Sequence, residues 1–455
     1  MQHETVIKNG TIVTAENTFS ADIGIDKGKI TAIGKGLDGA NVLDVSGKYV
    51  LPGAIDVHTH WQLPFCGTIS VDDFENGSKA GAIGGVTTFI DFAIQTKGKT
   101  LAETIAARRA EADPKVCIDY SLHAGITDWN ESTRGEIKSV IEGGIPTFKM
   151  FMVYKSQGWQ ADDGILYSAL KEASKYGGRI GVHAENNDII ERLTAEHLKK
   201  GLTQCKYHSA TRTNFTEIEA ISRAIRIAEE VGGSLYIFHM STAGAAIEVK
   251  KGRERGVDVE SETCPQYLLL TNKLFESENG HWYATCPPIR SQQDCDGMWK
   301  SLEEGYVGIV ATDSCTFNTK QKAMWEGNFT RIPFGMPGIE TMLPLLYTYG
   351  VEKKRFGLNK LASLVSEKPA RVFGLYPNKG TIAVGSDADI IIIDPKKEKK
   401  VSPKNLVTNC DWSPFDGHTL KGFPDTTLLR GEVIVDKGTF AGKKGQGAFV
   451  KRRPM

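Results

Sequence analysis

The central part of the chain opens with Ala54-Ile55-Asp56-Val57-His58-Thr59-His60, an apolar run that ends in two histidines. A run of this length suits a β-strand, and alternation along the strand puts His58 and His60 on the same face. Seven further apolar runs of similar length follow along the chain, at residues 86–92, 118–125, 147–152, 179–184, 235–240, 258–264 and 307–313.

Stretches with helical periodicity and helix-forming residues lie between these runs, at residues 101–112, 164–176, 217–231 and 243–251. Eight strands that alternate with helices are typical of a (β/α)8 barrel, which is an α/β fold. A doubly wound open sheet is the alternative. The glycine fingerprint with which such a sheet binds phosphate groups is missing here.

Both ends of the chain show a different pattern of short, β-rich runs. They lie at residues 6–13, 21–25 and 29–33 near the N-terminus, and at 389–393 and 432–436 near the C-terminus. Turn pairs such as Asn9-Gly10 and Lys27-Gly28 separate them. We therefore predict a small β-sandwich built from residues 1–50 and 380–455, beside a barrel of residues 51–379.

The composition narrows the class of protein. The chain has 455 residues with 55 basic and 55 acidic side chains, so it offers no electrostatic footprint for nucleic acid or an anionic membrane. No segment approaches the roughly 20 apolar residues that cross a bilayer, and the N-terminus lacks the apolar core of a signal peptide. The eight cysteines are scattered without a CxxC pair, so we expect reduced thiols in a cytoplasmic protein.

Polar side chains come late in four of the later runs, at Lys149, His183, His239 and Asp313. In a (β/α)8 barrel the functional groups stand at the C-terminal ends of the strands. A single histidine at such a position is more often a hydrogen-bonded or surface residue than a metal ligand. Four histidines, a lysine and an aspartate at the same ends of five strands are far more specific, and they predict one shared site.

Imidazole and carboxylate groups suit zinc, and manganese, cobalt or nickel could replace it. A protonated lysine cannot ligate a cation, so Lys149 either pairs with an acid or adds carbon dioxide to become a carbamate. Within this set of residues we predict the carbamate, which would bridge two Zn²⁺ ions. The other ligands would be His58, His60 and Asp313 for one ion and His183 and His239 for the second.

Five segments carry a more specific pattern: PGAIDVHTHWQLPF at 52–65, FKMFMVYK at 148–155, VHAEN at 182–186, TDSCTFN at 312–318 and GTIAVGSDAD at 380–389. They resemble the cyclic amidases of the amidohydrolase superfamily, most closely dihydropyrimidinase and D-hydantoinase, over essentially the whole chain. The resemblance implies a barrel with a β-sandwich, two zinc ions and a carbamylated lysine. It also implies a homotetramer or dimer that associates through C-terminal segments.

Two positions separate close relatives within this superfamily. Dihydroorotase-like enzymes usually have an arginine that binds a substrate carboxylate where this chain has Gln62, so a ring with a carboxylate is disfavoured. Tyr154, which follows Lys149 by five residues, matches the tyrosine of dihydropyrimidinases and hydantoinases.

The resemblance implies a reaction in which a hydroxide between two metal ions attacks the cyclic amide of a dihydropyrimidine or a 5-substituted hydantoin. Tyr154 would donate a hydrogen bond to the oxyanion, and Asp313 would carry a proton to the ring nitrogen. The product is an N-carbamoyl amino acid. The structural alternative for Tyr154 is a core aromatic residue with a hydrogen-bonded hydroxyl.

By the same resemblance, backbone groups near Cys286 and Phe334 would bind the polar edge of the ring. Relatives commonly have serine and asparagine at these positions, and histidine or asparagine where Ser314 stands, so the pocket departs from the family pattern. An apolar gate for the ring substituent would consist of Leu63, Phe65, Phe151, Met152 and Trp159. The alternative for each gate residue is simple packing at the barrel rim.

Three alternative functions stay open on the sequence. An allantoinase or another cyclic ureide or imide hydrolase would use the same ligands. A non-catalytic dihydropyrimidinase-related scaffold keeps the fold but loses metal ligands, whereas this chain has all six. A mononuclear deaminase would not need Lys149.

Overall fold

The structure, a computed structural model, describes residues 2–455. The chain begins with short strands, and one hairpin turn passes through Lys27 and Gly28, whose φ angles are 49° and 75°. Positive φ at both central residues is what a two-residue turn of type I′ requires. The strands are β1 (Gln2–Lys8), β2 (Thr11–Val13), β3 (Thr18–Ser20), β4 (Asp22–Asp26), β5 (Lys29–Gly34), β6 (Asp38–Asp44) and β7 (Tyr49–Pro52).

Eight parallel strands then form a nearly closed barrel, which confirms the predicted fold. Each strand pairs with the next in chain order, and a bridge between Thr59 and Ser314 joins the first strand to the segment after the last. The strands are β8 (Ala54–Thr59), followed by the hairpin β9 (Pro64–Phe65) and β10 (Thr68–Ile69), then β11 (Val86–Ile94), β12 (Asp119–Gly125), β13 (Thr147–Phe151), β14 (Arg179–His183), β15 (Ser234–Ile237), β16 (Val259–Thr263) and β17 (Ile309–Val310).

Two barrel strands end three residues earlier than the apolar runs predict. The run at 235–240 gives a strand only to Ile237, and the run at 307–313 gives one only to Val310. The backbone leaves the extended region soon afterwards, at His239 and Asp313, where φ is 38° and 51°. The strand ends therefore turn within a few residues of the polar side chains that the sequence singled out.

Helices connect the strands and cover the outside of the barrel. α2 coincides with its predicted span, and a capping box between Thr100 and Glu103 fixes its start. The helices are α1 (Phe74–Ile83), α2 (Leu101–Ala112), α3 (Glu131–Glu142), α4 (Asp163–Ser174), α5 (Asn187–Lys199), α6 (Tyr207–Thr211), α7 (Asn214–Val231), α8 (Ala243–Glu254), α9 (Pro265–Leu269), α10 (Gln292–Glu304), α11 (Thr319–Lys322), α12 (Met342–Leu346), α13 (Leu358–Ala362) and α14 (Lys368–Val372).

The predicted β-sandwich is present and uses both ends of the chain. One sheet has the order β5-β4-β1-β6, and a second has the order β23-β22-β21-β18-β7-β2-β3, in which Ile390 pairs with Pro52. The C-terminal strands are β18 (Ile390–Ile393), β19 (Glu398–Lys400), β20 (Thr419–Lys421), β21 (Pro424–Leu429), β22 (Glu432–Asp436) and β23 (Thr439–Phe440). The boundaries at residues 50 and 380 stay a prediction.

A packed aromatic layer fills the barrel below the polar strand ends. Phe92, Phe238 and His123 lie with their ring centroids 4.8–5.5 Å apart. The His58 ring rests on this layer, 4.8 Å from Phe92 and 5.0 Å from Phe238. The layer therefore supports the histidine from beneath, as close packing in a protein interior does.

The C-terminal tail lies across the opposite end of the barrel. The amide N–H groups of Val450 and Arg452 donate to the carbonyls of Tyr120 and Gly144 at 2.7 and 2.9 Å. The Arg452 guanidinium is buried and donates to the hydroxyls of Ser121 and Thr147 at 2.9 and 2.7 Å. The tail thus packs on its own barrel, and its predicted role in subunit association stays a prediction.

None of the helices within residues 2–455 is both long and apolar enough to pass through a lipid bilayer. All eight cysteines are unpaired thiols, and seven of them are buried.

Candidate active site

Three side chains from the first and last barrel strands meet at the C-terminal end of the barrel. The Nε2 atoms of His58 and His60 are 3.1 Å apart, and Asp313 Oδ1 lies 3.1 Å from the first and 3.3 Å from the second. Burial would raise the pKa of Asp313, but the two histidines hold it below its usual value. Two imidazole nitrogens and a carboxylate oxygen at these separations can share one metal ion.

A buried glutamate fixes the orientation of the His58 ring. Nδ1 of His58 contacts the Glu262 carboxylate, which also accepts hydrogen bonds from the Tyr236 hydroxyl at 2.9 Å and the His239 amide at 3.1 Å. Burial lowers the pKa of His58 well below its usual value. The contact with Glu262 therefore turns Nε2 of His58 toward Asp313, which is how an outer carboxylate orients a metal-binding histidine.

A second group of side chains faces the first across the cavity. The rings of His183 and His239 lie with centroids 4.4 Å apart. His183 Nε2 pairs with Glu185 at 2.7 Å, which leaves Nδ1 available, and Glu185 in turn contacts Arg212. Burial lowers the pKa of both histidines, and His239 Nδ1 has no hydrogen-bond partner among residues 2–455. Neutral imidazoles in this state fit a second ion.

Lys149 lies between the two groups in a setting that favours a free amine. Its side chain is 1% exposed, and Nζ stands 3.8 Å from the centre of the Phe238 ring. No carboxylate oxygen in the described part of the chain is within 4 Å of Nζ, so the acid-paired lysine considered above is not what forms here. Burial lowers the pKa of Lys149 to about 7, and only the neutral amine reacts with carbon dioxide.

Three residues of the site have a left-handed backbone. Tyr154, His239 and Asp313 have φ angles of 69°, 38° and 51°. Non-glycine residues in this region carry a conformational cost of about 1–3 kcal/mol each, and they concentrate at functional sites. This backbone geometry is a feature of the site that the residue types alone do not show.

The polar groups open into a cavity that both polar and apolar side chains line. Its apolar side contains seven of the predicted substrate-binding residues: Leu63, Phe65, Phe151, Tyr154, Trp159, Cys286 and Phe334. Ile94, Thr285, Cys315 and Gly335 also line the cavity and were not predicted. The cavity therefore joins the polar strand ends to an apolar compartment.

Met152, which the sequence assigned to the apolar gate, and Gln62 both lie outside the cavity. Met152 is not among the cavity residues and packs in the main hydrophobic core, because alternation along β13 turns Lys149 and Phe151 inward and Met152 away. Gln62 also stays outside the cavity, where its side-chain oxygen accepts a hydrogen bond from Lys115 at 2.9 Å. Gln62 therefore gives the cavity no group that could bind a substrate carboxylate.

Tyr154 and the two unusual residues lie together on one wall of the cavity. Burial raises the pKa of the Tyr154 phenol well above its usual value, so the hydroxyl keeps its proton and can donate. The Phe334 ring stacks on His208 with centroids 4.7 Å apart, and His208 Nε2 lies 2.8 Å from the carbonyl oxygen of Thr285. This stack holds the segments before Cys286 and around Phe334 together.

The sequence interpretation missed the residues that orient the histidines. Glu262 was not considered, and Glu185 was noted only as part of a motif. An acid two residues before the end of an apolar run is a usable signal for Glu262, because alternation points it into the barrel. Nothing in the local sequence identifies Arg212, whose contact with Glu185 depends on the tertiary fold.

Comparison with known proteins agrees with this geometry. The amidohydrolase family profile matches residues 49–434. The D-hydantoinase of Geobacillus stearothermophilus is 44% identical over 453 residues, which are 98% of this chain and 96% of that protein. A crystal structure of D-hydantoinase superposes with a TM-score of 0.97 at 42% identity over 98% of each chain. The crystal structure of dihydropyrimidinase from Brevibacillus agri NCHU1002 superposes with a TM-score of 0.97 at 40% identity over 99% of each chain. The chain belongs to the amidohydrolase family, among the hydantoinases and dihydropyrimidinases.

Proposed function

We propose that this protein hydrolyses the cyclic amide bond of 5-substituted hydantoins or dihydropyrimidines and releases N-carbamoyl amino acids. The observation that carries the proposal is the meeting of His58, His60 and Asp313 within 3.3 Å at the mouth of the barrel. The names of the relatives, which are hydantoinases and dihydropyrimidinases, support the same class of substrate.

The residues present fit two metal ions, and we propose zinc, with manganese, cobalt or nickel as substitutes. His58, His60 and Asp313 would hold one ion and His183 and His239 the other, with a CO2-derived carbamate on Lys149 between them. Such ions, when bound, lower the pKa of a water molecule and polarise an amide carbonyl. The buried, unpaired amine of Lys149 supports the carbamate, because a charged lysine at this place would repel the cations.

Asp313 and Tyr154 would carry the protein's part of the reaction. Asp313 Oδ1 faces the two histidines, so we assign to Oδ2 the transfer of a proton from the attacking water to the departing ring nitrogen. The Tyr154 hydroxyl would donate to the oxygen of the attacked carbonyl as negative charge develops there. Its position in the cavity opposite His183, with ring centroids 5.2 Å apart, supports this role.

The apolar side of the cavity would accept the ring substituent. Leu63, Phe65 and Trp159 line it, and the Phe65 and Trp159 rings lie stacked with centroids 6.0 Å apart. Phe151 closes the same side, 5.1 Å from Trp159. These aromatic faces suit an aryl or alkyl group at the ring's exocyclic position, whereas backbone groups at Cys286 and Phe334 would bind the ring itself.

We further propose a cytoplasmic homo-oligomer, a tetramer or a dimer. The unpaired state of all eight cysteines supports a reducing compartment. Sedimentation of the purified protein tests the assembly directly.

The deciding experiment is a substrate panel on protein of known metal content. Dihydrouracil, dihydrothymine, 5-substituted hydantoins and allantoin are each assayed for the ring-opened product. We expect opening of the hydantoins or the dihydropyrimidines. Opening of allantoin alone would move the protein to the cyclic ureide hydrolases, and opening of none would contradict the proposal.

A further inference from the structure

The short helix α11 follows Asp313, one of the proposed metal ligands, in the chain. It begins at Thr319, six residues after Asp313, and Asn318 and Gln321 form a capping box at its start. Gln321 Oε1 accepts from the Asn318 amide at 2.9 Å, so the side-chain amide of Gln321 is fixed in orientation. The two neighbouring residues Gln321 and Lys322 then reach in different directions.

Gln321 holds the hairpin that carries one wall of the cavity. Its Nε2 donates to the Thr68 hydroxyl at 2.8 Å and to the Ile69 carbonyl at 2.7 Å. Both partners belong to β10, which pairs with β9 through Thr68 and Phe65. A change in the position of β10 therefore moves Phe65, whose ring lines the apolar side of the cavity.

Lys322 holds the opposite wall. Its side chain is fully buried, and Nζ donates to the carbonyl oxygens of Pro333 at 2.7 Å and Ala284 at 3.2 Å. Pro333 directly precedes Phe334, and Ala284 lies two residues before Cys286. The amide of Gly335 donates to the same Ala284 oxygen at 3.0 Å, so the two wall segments share one junction.

The ammonium of Lys322 has an unusual environment for a buried charge. It takes part in no salt bridge of the described chain, and the rings of Phe317 and Trp412 lie nearby, with Nζ 6.0 and 5.9 Å from their centroids. Burying a charge without an acidic partner is costly. The hydrogen bonds to the two carbonyl oxygens are therefore needed to keep the Lys322 ammonium in this buried position. A side chain with only a packing role would not need a charge.

We propose that Gln321 and Lys322 are positioning residues that set the two walls of the substrate cavity independently. Gln321 fixes the hairpin wall that selects the ring substituent, and Lys322 fixes the wall that binds the ring. Neither residue touches the proposed metal ligands. The kinetic part of this inference rests on the proposed function, since it uses cyclic amides to measure the cavity.

The test compares Lys322→Met with Lys320→Met, the same change two positions away on an exposed side chain of α11. For Lys322→Met we expect KM to rise about tenfold for all substrates that wild type opens, because two buried carbonyls lose their donor. kcat should change by less than about threefold and the metal content should not change, because Lys322 does not contact the proposed metal ligands. Lys322→Arg, which keeps a charge and several donors, should recover part of the KM.

Gln321→Met should give a different pattern. We expect the ratio of kcat/KM between an aryl-substituted and an unsubstituted hydantoin to change about fivefold, with KM for the unsubstituted ring near the wild-type value. Equal kinetic constants for Lys322→Met and Lys320→Met would overturn the inference. So would the same kinetic change in the Gln321 and Lys322 variants.

Hydrogen exchange separates this inference from the proposed function, because it needs no substrate. Gln321→Met should speed exchange of amides at residues 65–69, and Lys322→Met should speed exchange at Gly335, both relative to Lys320→Met, with a smaller change at Gly335 in Lys322→Arg. Unchanged exchange at both places would overturn the inference even in an active enzyme. If wild type opened no ring of the panel, altered exchange would still support the two separate walls.

Discussion

The metal-binding half and the substrate-binding half of the cavity are built from different parts of the barrel. In the metal-binding half, side chains leave the ends of strands, and a buried carboxylate orients each of two histidines, Glu262 for His58 and Glu185 for His183. In the substrate-binding half, Cys286 and Phe334 stand outside the strands, and main-chain carbonyls bound by Lys322 hold their segments.

This difference separates the chemistry from the selection of substrate. A residue at a strand end is fixed by the hydrogen bonds of the barrel, so its position tolerates little change. A wall made of loops can exchange side chains while its backbone contacts persist. The six proposed metal ligands accordingly stand at strand ends or within three residues of them, whereas the wall residues Cys286 and Phe334 lie outside the strands. The expected effects of mutations should follow the same division.

Asp313→Asn should give the largest effect. The amide keeps the shape of the carboxylate but removes its charge and its capacity to take a proton, so kcat should fall by about 10²–10⁴-fold. Metal content measured by elemental analysis should fall as well. Asp296→Asn, on an exposed side chain of α10, is the control and should behave as wild type. Near-normal turnover in Asp313→Asn would contradict its place in the metal-binding half.

Tyr154→Phe should come next, because it removes one donor to the developing oxyanion. Loss of such a donor costs about 10²–10³-fold in kcat. Tyr154 lies on the boundary between the halves, so metal content should stay at the wild-type level. Tyr167→Phe, at a surface tyrosine that is 39% exposed, serves as the control. Preserved turnover would remove Tyr154 from the mechanism.

Glu262→Gln should weaken the metal-binding half without touching the cavity. The amide cannot accept from His58 and the Tyr236 hydroxyl as a carboxylate does, so metal affinity should fall by about 10–100-fold. Competition with a chelator measures this change, and KM of the fully loaded enzyme should be unaffected. Glu278→Gln, on an exposed side chain, is the matched substitution. Equal metal retention in both variants would show that Glu262 has no part in orienting His58.

Phe334→Asn should have the smallest effect on activity of these four substitutions. It tests most directly whether the metal-binding and substrate-binding halves of the cavity are separable. The change removes the stack on His208 and replaces an apolar side chain of the cavity wall with a polar one. We expect the preference between an aryl hydantoin and dihydrouracil, as a ratio of kcat/KM, to shift about tenfold. Metal content should remain that of wild type. A loss of bound metal would show that the two halves are not separable.

The sequence predicted the metal-binding half better than the substrate-binding half for physical reasons. Alternation along a strand is strictly periodic, so it placed His58 and His60 on one face. The same alternation, continued one residue past the end of β13, points Met152 away from the cavity. The local sequence gave no sign that the backbone turns left-handed at His239 and Asp313.

The local sequence pattern could not predict contacts between distant segments either. The hydrogen bonds of Lys322 to Ala284 and Pro333 join residues that no periodicity connects. The barrel and the two-ended sandwich, in contrast, follow from repeated local signals and were predicted correctly.

The central claim is that Lys149 becomes a carbamate that completes a two-ion site. It is tested most directly by stripping the metal with a chelator at low pH and reloading zinc with and without bicarbonate, with ions per chain counted by elemental analysis. We predict two ions per chain with bicarbonate, and at most one without it or in Lys149→Ala. Two ions per chain in Lys149→Ala, or in wild type reloaded without bicarbonate or carbon dioxide, would contradict the claim.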